Sequence, residues 1–385
     1  MQVGIAGIVG RIGTLTLCEC LSRNIPVVCG TDLPTVKVWG ASGKLLEMSA
    51  IEGLDYKINN EDPAHGRLPW SSRKKNNDTL EITINGKTYC VKVIGTDSPE
   101  KAKWQQEGVE FVEECTGMCL DKTKVSEEDL KKNRWRYPAS VHYNNGARIV
   151  FVSAPSNKPD ASLVLGINHK NYEKFKNEKG CLFFDNGSCT TKAVAFPIAV
   201  LLNEGYVITS PVYVVTTHAD TGKELRDLIE GKYNPNTASI REHSSGAFKA
   251  LAALFNTQDN IQVPGCDAKA LRVPVVNGSM ADICLTLCHN LSAKDVNAMF
   301  AKASGDYRYA TGIYLWTNQT PLNSNFISRR EGLFAQIGYN PSSVVSAENT
   351  KVYGDRVHIH SWYNNEGAPP ENQARMTQQI LSNAA

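Results

Sequence analysis

The sequence predicts an α/β protein of two domains, the first built on a parallel sheet and the second rich in long strands. Its 385 residues exceed the size at which a single hydrophobic core usually stops growing. Near the start, strand, helix and strand patterns follow one another at 3–6, 11–24 and 25–32, which together predict a βαβ unit. Long apolar strand candidates at 211–217 and 283–287 indicate the second domain.

A glycine-rich turn joins the first strand of the βαβ unit to its helix. Gly7, Gly10 and Gly13 would let the backbone approach a pyrophosphate held at the helix N-terminus. Asp32 ends the next strand, where a carboxylate accepts hydrogen bonds from an adenosine ribose and repels the 2′-phosphate of NADP. The spacing Gly-x-x-Gly-x-x-Gly is one residue wider than the usual fingerprint, and close strand–helix packing alone also selects glycine. The combination of strand, turn, helix and acid favours bound NAD.

A β-hairpin is predicted around Asn85 and Gly86, because this dipeptide is the preferred two-residue connection between alternating segments. The surrounding region, 55–100, is otherwise polar and turn-rich. Further strands at 109–113 and 148–152 and a final helix at 372–383 complete the predicted elements.

Cys189 is the candidate nucleophile. It precedes a helical pattern at 190–202, and a cysteine at a helix N-terminus has a lowered pKa and more thiolate. Inert core thiols are much commoner than catalytic ones. The hydroxyl neighbours Ser188, Thr190 and Thr191 nevertheless favour the nucleophile.

His218 is the candidate base, because it follows a predicted strand and precedes a compact turn. A histidine paired with a cysteine accepts its proton and stabilises the thiolate. Four other histidines lie in polar segments where surface or capping roles are expected: His65, His142, His169 and His243.

Arg272 is a cation inside an otherwise apolar strand. A buried arginine requires an anion, which is either a structural carboxylate or a phosphate on a ligand, and both alternatives stay open.

The composition is that of an ordinary globular protein, with 42% apolar and 21% charged residues and a formal charge of +2. This charge gives no long-range field, so neither nucleic acid nor a membrane is predicted as the main partner. The strand pattern starts at once, which predicts no signal peptide, and we see no transmembrane run.

The eleven cysteines show no regular disulfide spacing, so we expect reduced thiols in a cytoplasmic setting. Cys115/Cys119 and Cys284/Cys288 share one spacing but lack Cys-x-x-Cys pairs and histidine partners. We therefore expect core cysteines there and no metal site.

Eight short motifs follow one another along nearly the whole chain. They are Gly10-Arg11-Ile12-Gly13, Glu114-Cys115-Thr116-Gly117, Ser153-Ala154-Pro155-Ser156, Gly166-Ile167-Asn168-His169, Ser188-Cys189-Thr190-Thr191, Thr217-His218-Ala219, Arg272-Val273-Pro274 and Ser361-Trp362-Tyr363-Asn364-Asn365-Glu366. In this order they resemble the phosphorylating glyceraldehyde-3-phosphate dehydrogenase family.

The resemblance implies a Rossmann-type parallel sheet domain at 1–188, completed by a C-terminal helix at 365–385. It also implies an α+β catalytic domain with a mixed or antiparallel sheet at 189–364. The implied activity is NAD-dependent oxidation of glyceraldehyde 3-phosphate to 1,3-bisphosphoglycerate in glycolysis, through a thioester on Cys189 that inorganic phosphate releases. The implied protein is a cytoplasmic homotetramer.

The resemblance also assigns site residues beyond the nucleophile Cys189 and the base His218. The implied NAD contacts are Gly7, Gly10, Arg11, Ile12, Asp32, Thr116, Ser153 and Asn365, the last holding the carboxamide. The implied contacts of the substrate's phosphate and the attacking phosphate are Ser188, Thr190, Thr221, Lys223, Ser245, Gly246 and Arg272.

Departures from the family pattern keep two other functions open. Lys223 stands where the family pattern has threonine, and with the wide glycine turn it fits a related aldehyde dehydrogenase acting on erythrose 4-phosphate or a semialdehyde. A shortened loop at 218–246, Pro369-Pro370 and insertions at 35–54 and 134–145 fit a catalytically weak NAD-binding paralogue with a partner. The retained Cys189 and His218 argue against the paralogue.

Overall fold

The computed structural model describes residues 1–39, 45–60, 68–125, 136–178, 180–219, 240–243, 251, 254–255, 263–317 and 321–383. The chain divides into two compact units. Unit 1 comprises Met1–Leu163, Lys170–Gly187 and Gln373–Ala385, and unit 2 comprises Val164–His169 and Ser188–Asn372.

Unit 1 is built on a nine-stranded sheet and a separate hairpin. Its strands are β1 (Gln2–Ala6), β2 (Val27–Asp32), β3 (Thr35–Trp39), β4 (Leu45–Ser49), β5 (Ser71–Lys74), β6 (Thr79–Ile84), β7 (Lys87–Gly95), β8 (Val109–Glu114), β9 (Ile149–Val152), β10 (Ala161–Ser162) and β11 (Leu182–Asp185). Its described helices include α1 (Arg11–Ser22), α2 (Ala50–Asn59) and α3 (Ser140–Asn144).

The strands of the large sheet run in the order β10-β11-β9-β8-β1-β2-β7-β6-β5. All pairs from β10 to β7 are parallel, whereas β6 and β5 are added antiparallel. Strands β9 and β11 are buried on both faces, which explains why their sequences are nearly continuous runs of apolar residues. The predicted Rossmann-type parallel sheet is confirmed.

The segment predicted as an insertion at 35–54 contains regular structure. Strands β3 and β4 pair antiparallel from Thr35↔Ser49 to Trp39↔Leu45. Ser49 then caps α2 in a capping box with Glu52, which fixes where the helix begins. The prediction of a polar, turn-rich region at 55–100 was therefore wrong for residues 55–59, which form the second half of α2.

Unit 2 is built on a second sheet. Its strands are β12 (Val212–Ala219), β13 (Arg241–His243), β14 (Cys266–Val273), β15 (Ser279–Thr286), β16 (Ile313–Trp316), β17 (Ser343–Ser346), β18 (Lys351–Tyr353) and β19 (Arg356–Tyr363). The described helices that begin in it include α4 (Cys189–Asn203), α5 (Ala293–Ser304), α6 (Ser324–Ser328), α7 (Ala335–Ile337) and α8 (Ala368–Asn383).

The strand order in this sheet is β13-β14-β12-β15-β19-β17-β16, with β18 added to β19. The pairs β12/β14 and β16/β17 are parallel and the other pairs antiparallel, so the predicted mixed sheet is confirmed. Helix α4 is buried from Thr190 to Leu201 and packs in the main core of the unit. It continues through Pro197, as the sequence predicts.

The C-terminal helix α8 begins four residues before its predicted start of 372. Pro369 and Pro370 lie in its first turn. Proline is tolerated there because N–H groups of the first turn have no acceptor within the helix, so their absence costs no hydrogen bond. The helix is counted with unit 2 as far as Asn372 and with unit 1 from Gln373 onward. None of the described helices combines the length and apolarity that crossing a membrane requires.

Candidate functional site

The glycine turn of unit 1 is tight because helix α1 packs directly on it. A Cβ placed on Gly13 would lie 2.0 Å from the carbonyl oxygen of Gly7, so no larger residue fits there. Gly7 has a φ of +77°, which favours glycine. Gly10 N–H donates to the Gly7 carbonyl at 2.9 Å and closes the turn.

Helix α1 begins at Arg11 and Ile12 with Gly10 as its N-cap, and no side chain caps it. Its first-turn N–H groups therefore form the kind of end that binds anions. Val9 N–H, which precedes the helix, instead donates to Asp32 Oδ2 at 2.8 Å.

Asp32 braces this turn from the end of β2. Its Oδ1 also accepts from Leu33 N–H at 2.9 Å, and the carboxylate keeps further lone pairs for a ligand. Burial raises the pKa of Asp32, while the N–H donors and nearby Lys57 act against that rise. Lys57, on α2, also donates to the Val9 carbonyl and so ties α2 to the glycine turn.

A group of four buried residues and the half-buried Thr116, which we call the Glu114 cluster, lies at the end of β8: Trp104, Glu114, Thr116, Cys119 and His142. Trp104 Nε1 donates to His142 Nδ1 at 2.9 Å. Because tryptophan only donates, Nδ1 accepts, and the neutral ring carries its proton on Nε2. That Nε2 lies 2.7 Å from Glu114 Oε2. The thiol of Cys119 and both the N–H and hydroxyl of Thr116 donate to Glu114 as well.

The ligand atoms of Glu114, Cys119 and His142 all lie within 4.8 Å of one another, the one grouping of this kind in the part of the chain that the structure describes. A metal at His142 Nε2 would need the nitrogen that carries the proton while Trp104 occupies the other. The hydrogen-bond cluster is therefore the better account. The expectation of a surface or capping role for His142 was wrong, since its side chain is fully buried.

The predicted NAD contacts of unit 1 lie together. Gly7, Asp32, Thr116 and Ser153 lie at the last residue of β1, β2, β8 and β9 or within two residues after it, and these strands are neighbours in the parallel sheet. Ser153 N–H donates to the Glu114 carbonyl at 3.0 Å. The carboxyl ends of parallel strands form the edge where open α/β sheets bind ligands.

Cys189 is the first residue of α4 in unit 2. Ser188 caps the helix by accepting from Thr191 N–H at 2.9 Å, which leaves the half-buried thiol at the positive end of the helix. Burial by itself would raise the pKa of Cys189, but its hydrogen bond to His218 and the positive charges of His218 and Lys192 outweigh burial and lower the pKa. The group is suited to nucleophilic attack.

His218 lies within β12, which runs two residues beyond the predicted strand. Its Nδ1 is 3.0 Å from the Ala219 carbonyl oxygen and 2.9 Å from Arg272 Nη1. Arg272 Nη1 also donates to the Ala219 carbonyl at 2.8 Å. Since Nδ1 is occupied in this way, Nε2 is the nitrogen left for Cys189.

Arg272, on β14, has a partner that neither sequence alternative anticipated. It lies beside His218 in the parallel register of β12 and β14. Over the described residues it forms no ion pair with a carboxylate, and its contacts are His218 and the Ala219 carbonyl. Among those residues a carboxylate is thus not what holds this cation.

Asn365 has a fixed amide orientation. Its Oδ1 accepts from Ser279 Oγ at 2.8 Å and from Gly278 N–H at 3.1 Å. Its Nδ2 consequently points to Cys189 Sγ, 3.7 Å away. Asn365 can therefore offer a ligand a donor but no acceptor.

The comparisons with known proteins agree with this arrangement. A family model described as the C-terminal domain of glyceraldehyde 3-phosphate dehydrogenase matches residues 188–365. Glyceraldehyde-3-phosphate dehydrogenase 1 of Bacillus subtilis (strain 168) is 30% identical over 374 residues, covering 95% of this chain and 94% of the relative. The chain belongs to the glyceraldehyde-3-phosphate dehydrogenase family.

Other members of the glyceraldehyde-3-phosphate dehydrogenase family are similarly distant. Glyceraldehyde-3-phosphate dehydrogenase 1 of Streptomyces avermitilis is 30% identical over 377 residues, covering 95% of this chain and 94% of the relative. The glyceraldehyde-3-phosphate dehydrogenase of Xanthobacter flavus is 30% identical over 313 residues, covering 79% of this chain and 80% of the relative. The resemblance stated from the motifs is confirmed.

Three residues of this family member's thiol site escaped the sequence analysis: Tyr363, Ser279 and Lys192. Tyr363 is fully buried, bonds Thr190 Oγ1 at 3.0 Å and lies edge-on to the His218 ring. Lys192 is fully buried, and a lysine inside an apolar helix is a signal that could have been noticed. Tyr363 and Ser279 gave no such signal.

Four predicted phosphate contacts, Thr221, Lys223, Ser245 and Gly246, lie outside the described residues.

Proposed function

We propose that this family member oxidises glyceraldehyde 3-phosphate to 1,3-bisphosphoglycerate, with NAD as cofactor and inorganic phosphate as second substrate. The observation that carries the proposal is the thiol of Cys189, whose pKa is lowered by His218 and Lys192 at the start of α4. Arg272, on the strand next to His218, adds the cation that a phosphorylated substrate requires.

In the proposed reaction, the Cys189 thiolate forms a bond to the aldehyde carbon, and the carbonyl oxygen gains a proton. His218 then accepts the hydroxyl proton as the carbon is oxidised to a thioester. NAD, when bound, supplies the acceptor for the hydride. A phosphate oxygen next attacks the thioester carbon, and the Cys189 thiolate leaves as the acyl phosphate forms.

The residues of unit 1 fit NAD. The uncapped start of α1 at Arg11 and Ile12, next to the turn of Gly7 and Gly10, suits a pyrophosphate. Asp32 retains acceptor capacity for ribose hydroxyls. We assign Thr116 and Ser153 to the same cofactor, and Asn365 to its carboxamide through Nδ2 alone.

Phosphate binding is assigned to Ser188, Thr190 and Arg272 in the described region, together with Thr221, Lys223, Ser245 and Gly246. Hydroxyls, backbone N–H groups and a guanidinium are the donors that phosphate oxygens accept. The cytoplasmic location, the glycolytic role and the homotetramer implied by the resemblance stay predictions, the last to be measured by light scattering of the purified protein.

The test is NADH production from glyceraldehyde 3-phosphate with and without inorganic phosphate. We expect turnover that depends on phosphate, and phosphate-independent turnover would contradict the phosphorylating reaction. Erythrose 4-phosphate and aspartate semialdehyde are run in parallel, and a higher kcat/KM for either would replace the proposed substrate.

Cys189→Ser is expected to abolish NADH production while leaving NAD affinity within about twofold, since the hydroxyl is a far weaker nucleophile than the thiolate. The matched control is Cys288→Ser, at an exposed cysteine of the same unit, which should retain full activity. A folded wild-type protein that binds NAD without turnover would favour the paralogue.

A further inference from the structure

Four side chains of types that bind metal ions lie on one face of the unit 2 sheet, on the adjacent strands β15 and β19. The antiparallel register pairs Asp282 with His360. The next pair on the same face is Cys284 with His358, so the four residues form a two-by-two block. Ile283, between Asp282 and Cys284, is buried in the core that contains α4. Because side chains alternate along a strand, the block lies on the opposite face of the sheet from α4.

One oxygen of Asp282 lies between nitrogens of both histidines. Asp282 Oδ1 is 3.8 Å from His360 Nε2 and 3.9 Å from His358 Nδ1. These separations are too long for hydrogen bonds, and among the described residues this buried oxygen has no hydrogen-bond partner. A buried acceptor without a partner costs free energy, and a bound ion is one of the arrangements that removes this cost.

The separations are close to those that a metal ion imposes on its ligands. Zinc bonds of about 2.0–2.2 Å to nitrogen and oxygen in a tetrahedron place the ligand atoms about 3.4 Å apart, so each nitrogen has to approach Asp282 by about 0.5 Å. The two rings also have to turn towards each other, since the three atoms are less compact than those of the Glu114 cluster. The side chains of His358, His360 and Asp282 are 37%, 32% and 41% exposed, which gives them room to turn.

We propose that Asp282, His358 and His360 bind a divalent transition-metal ion of the zinc class, with a water in the fourth position. Two imidazoles and a carboxylate are ligands typical of zinc, whereas magnesium and calcium take oxygen ligands. With the metal on His358 Nδ1, the other ring nitrogen, Nε2, faces Cys284 Sγ at 3.5 Å. An outer partner of this kind fixes the ring orientation of a metal-binding histidine.

The histidines are distant from Cys284 in the chain, which is why its spacing to Cys288 did not reveal them. His358 follows Cys284 by 74 residues and reaches it only through the pairing of β15 with β19. The expectation of core cysteines was wrong for this pair, since Cys284 is partly exposed and Cys288 is exposed. A metal ion here joins the side chains of β15 and β19 on the face opposite α4, so the site is separate from that of Cys189.

The experiment is calorimetric titration of the full-length Cys189→Ser protein with Zn²⁺, with Mg²⁺ present in excess. The substitution removes the thiol beside His218, because a thiolate is itself a metal ligand. We expect one Zn²⁺ bound per chain with an affinity that Mg²⁺ does not change, since Mg²⁺ prefers oxygen ligands. Co²⁺ in place of Zn²⁺ should give the visible absorption bands of a tetrahedral site.

Three substitutions in this protein each remove one ligand: Asp282→Asn, His358→Gln and His360→Gln. Each should weaken Zn²⁺ binding by more than the about 10- to 100-fold that the loss of an outer partner costs, and each should remove the Co²⁺ bands. Asp282→Asn keeps the shape of the side chain, and circular dichroism verifies that every variant is folded. Unchanged Zn²⁺ affinity in the three variants, or no Zn²⁺ binding by the Cys189→Ser protein, would overturn the site.

Cys288→Ser and His289→Gln are the matched controls, because they alter exposed metal-binding side chains of the same unit. Both should bind Zn²⁺ as the parent protein does. Loss of binding in either control would place the ion at that exposed pair and would contradict the assignment to β15 and β19. The readout is binding alone, so the outcome does not depend on which aldehyde the protein oxidises.

Discussion

The Glu114 cluster of unit 1 and the surroundings of His218 in unit 2 each centre on one buried or half-buried histidine, but they differ in how many arrangements satisfy their hydrogen bonds. At His142, Trp104 can only donate, so a single tautomer fits. At His218, a carbonyl and a guanidinium offer Nδ1 opposite roles. A group of hydrogen bonds with one arrangement is held rigidly, whereas a group with two arrangements can change its hydrogen bonds when its surroundings change.

Removing the His218 ring should disrupt the hydrogen bonds of unit 2 and leave those of the Glu114 cluster intact. Of the three changes, we expect it to have the largest effect on activity. We expect His218→Asn to lower kcat about 10²- to 10⁴-fold, the usual contribution of a general base, with NAD affinity unchanged. Steady-state kinetics and calorimetry measure the two effects. His289→Asn, at an exposed histidine of the same unit, is the matched control. A tenfold loss of NAD affinity in His218→Asn would mean that the two regions are not independent.

Glu113 sharpens the comparison, because it neighbours Glu114 on β8 but, among the residues that the structure describes, has two side-chain donors, Gln373 and Thr377. Burial raises the pKa of Glu113 to about 7 against the donors' opposing effect. The folded state then holds this proton more tightly than the unfolded chain. Its contribution to stability is complete below about pH 4.5 and is lost as pH rises through about 7, amounting to about 3 kcal/mol.

Glu113→Gln should remove that dependence. Denaturant unfolding between pH 5 and pH 8, about the range of this titration, should show a flatter stability profile than the wild type. Glu110→Gln, at a partly exposed position on the same strand, should keep the wild-type profile. Parallel profiles for Glu113→Gln and the wild type would mean that Glu113 is ionised throughout this range.

Loosening the Glu114 cluster should have the smallest of the three effects. Glu114→Gln replaces a carboxylate that accepts four hydrogen bonds by a neutral amide. Each charge-assisted hydrogen bond contributes about 1.5–3 kcal/mol, and the amide oxygen recovers part of this as an acceptor. We therefore expect NAD binding to weaken about tenfold. The kcat at saturating NAD should stay within about twofold. Cys119→Ser keeps a donor to Glu114 and should bind NAD normally. Normal NAD affinity in Glu114→Gln would show that the edge does not depend on the cluster.

Local signals in the sequence predicted much of this protein. The turn at Gly7 and Gly10, the hairpin at Asn85 and the helix that starts at Cys189 depend on neighbours within a few residues, and such signals are readable. Hairpin β3–β4 was readable too, since alternation over 35–39 and the cap at Ser49 were present, but the segment was interpreted as an insertion.

The side-chain pairings were not readable. Trp104 and His142 are 38 residues apart, and His218 and Arg272 are 54 apart, so each pair depends on strand register and packing rather than on local pattern. The burial of His142 and the role of Asn365 as a pure donor follow only once these distant partners are placed.

The division of helix α8 between the units bears on how the chain matures during synthesis. Its first turn is fastened within unit 2, where Glu371 accepts from Asn340 N–H at 2.8 Å, and its later turns supply the donors of Glu113 in unit 1. Glu113, although it is made long before them, thus gains these partners only after residues 373–377 have left the ribosome. Proteolytic removal of the later turns of α8 would accordingly damage unit 1 at a strand that is translated much earlier.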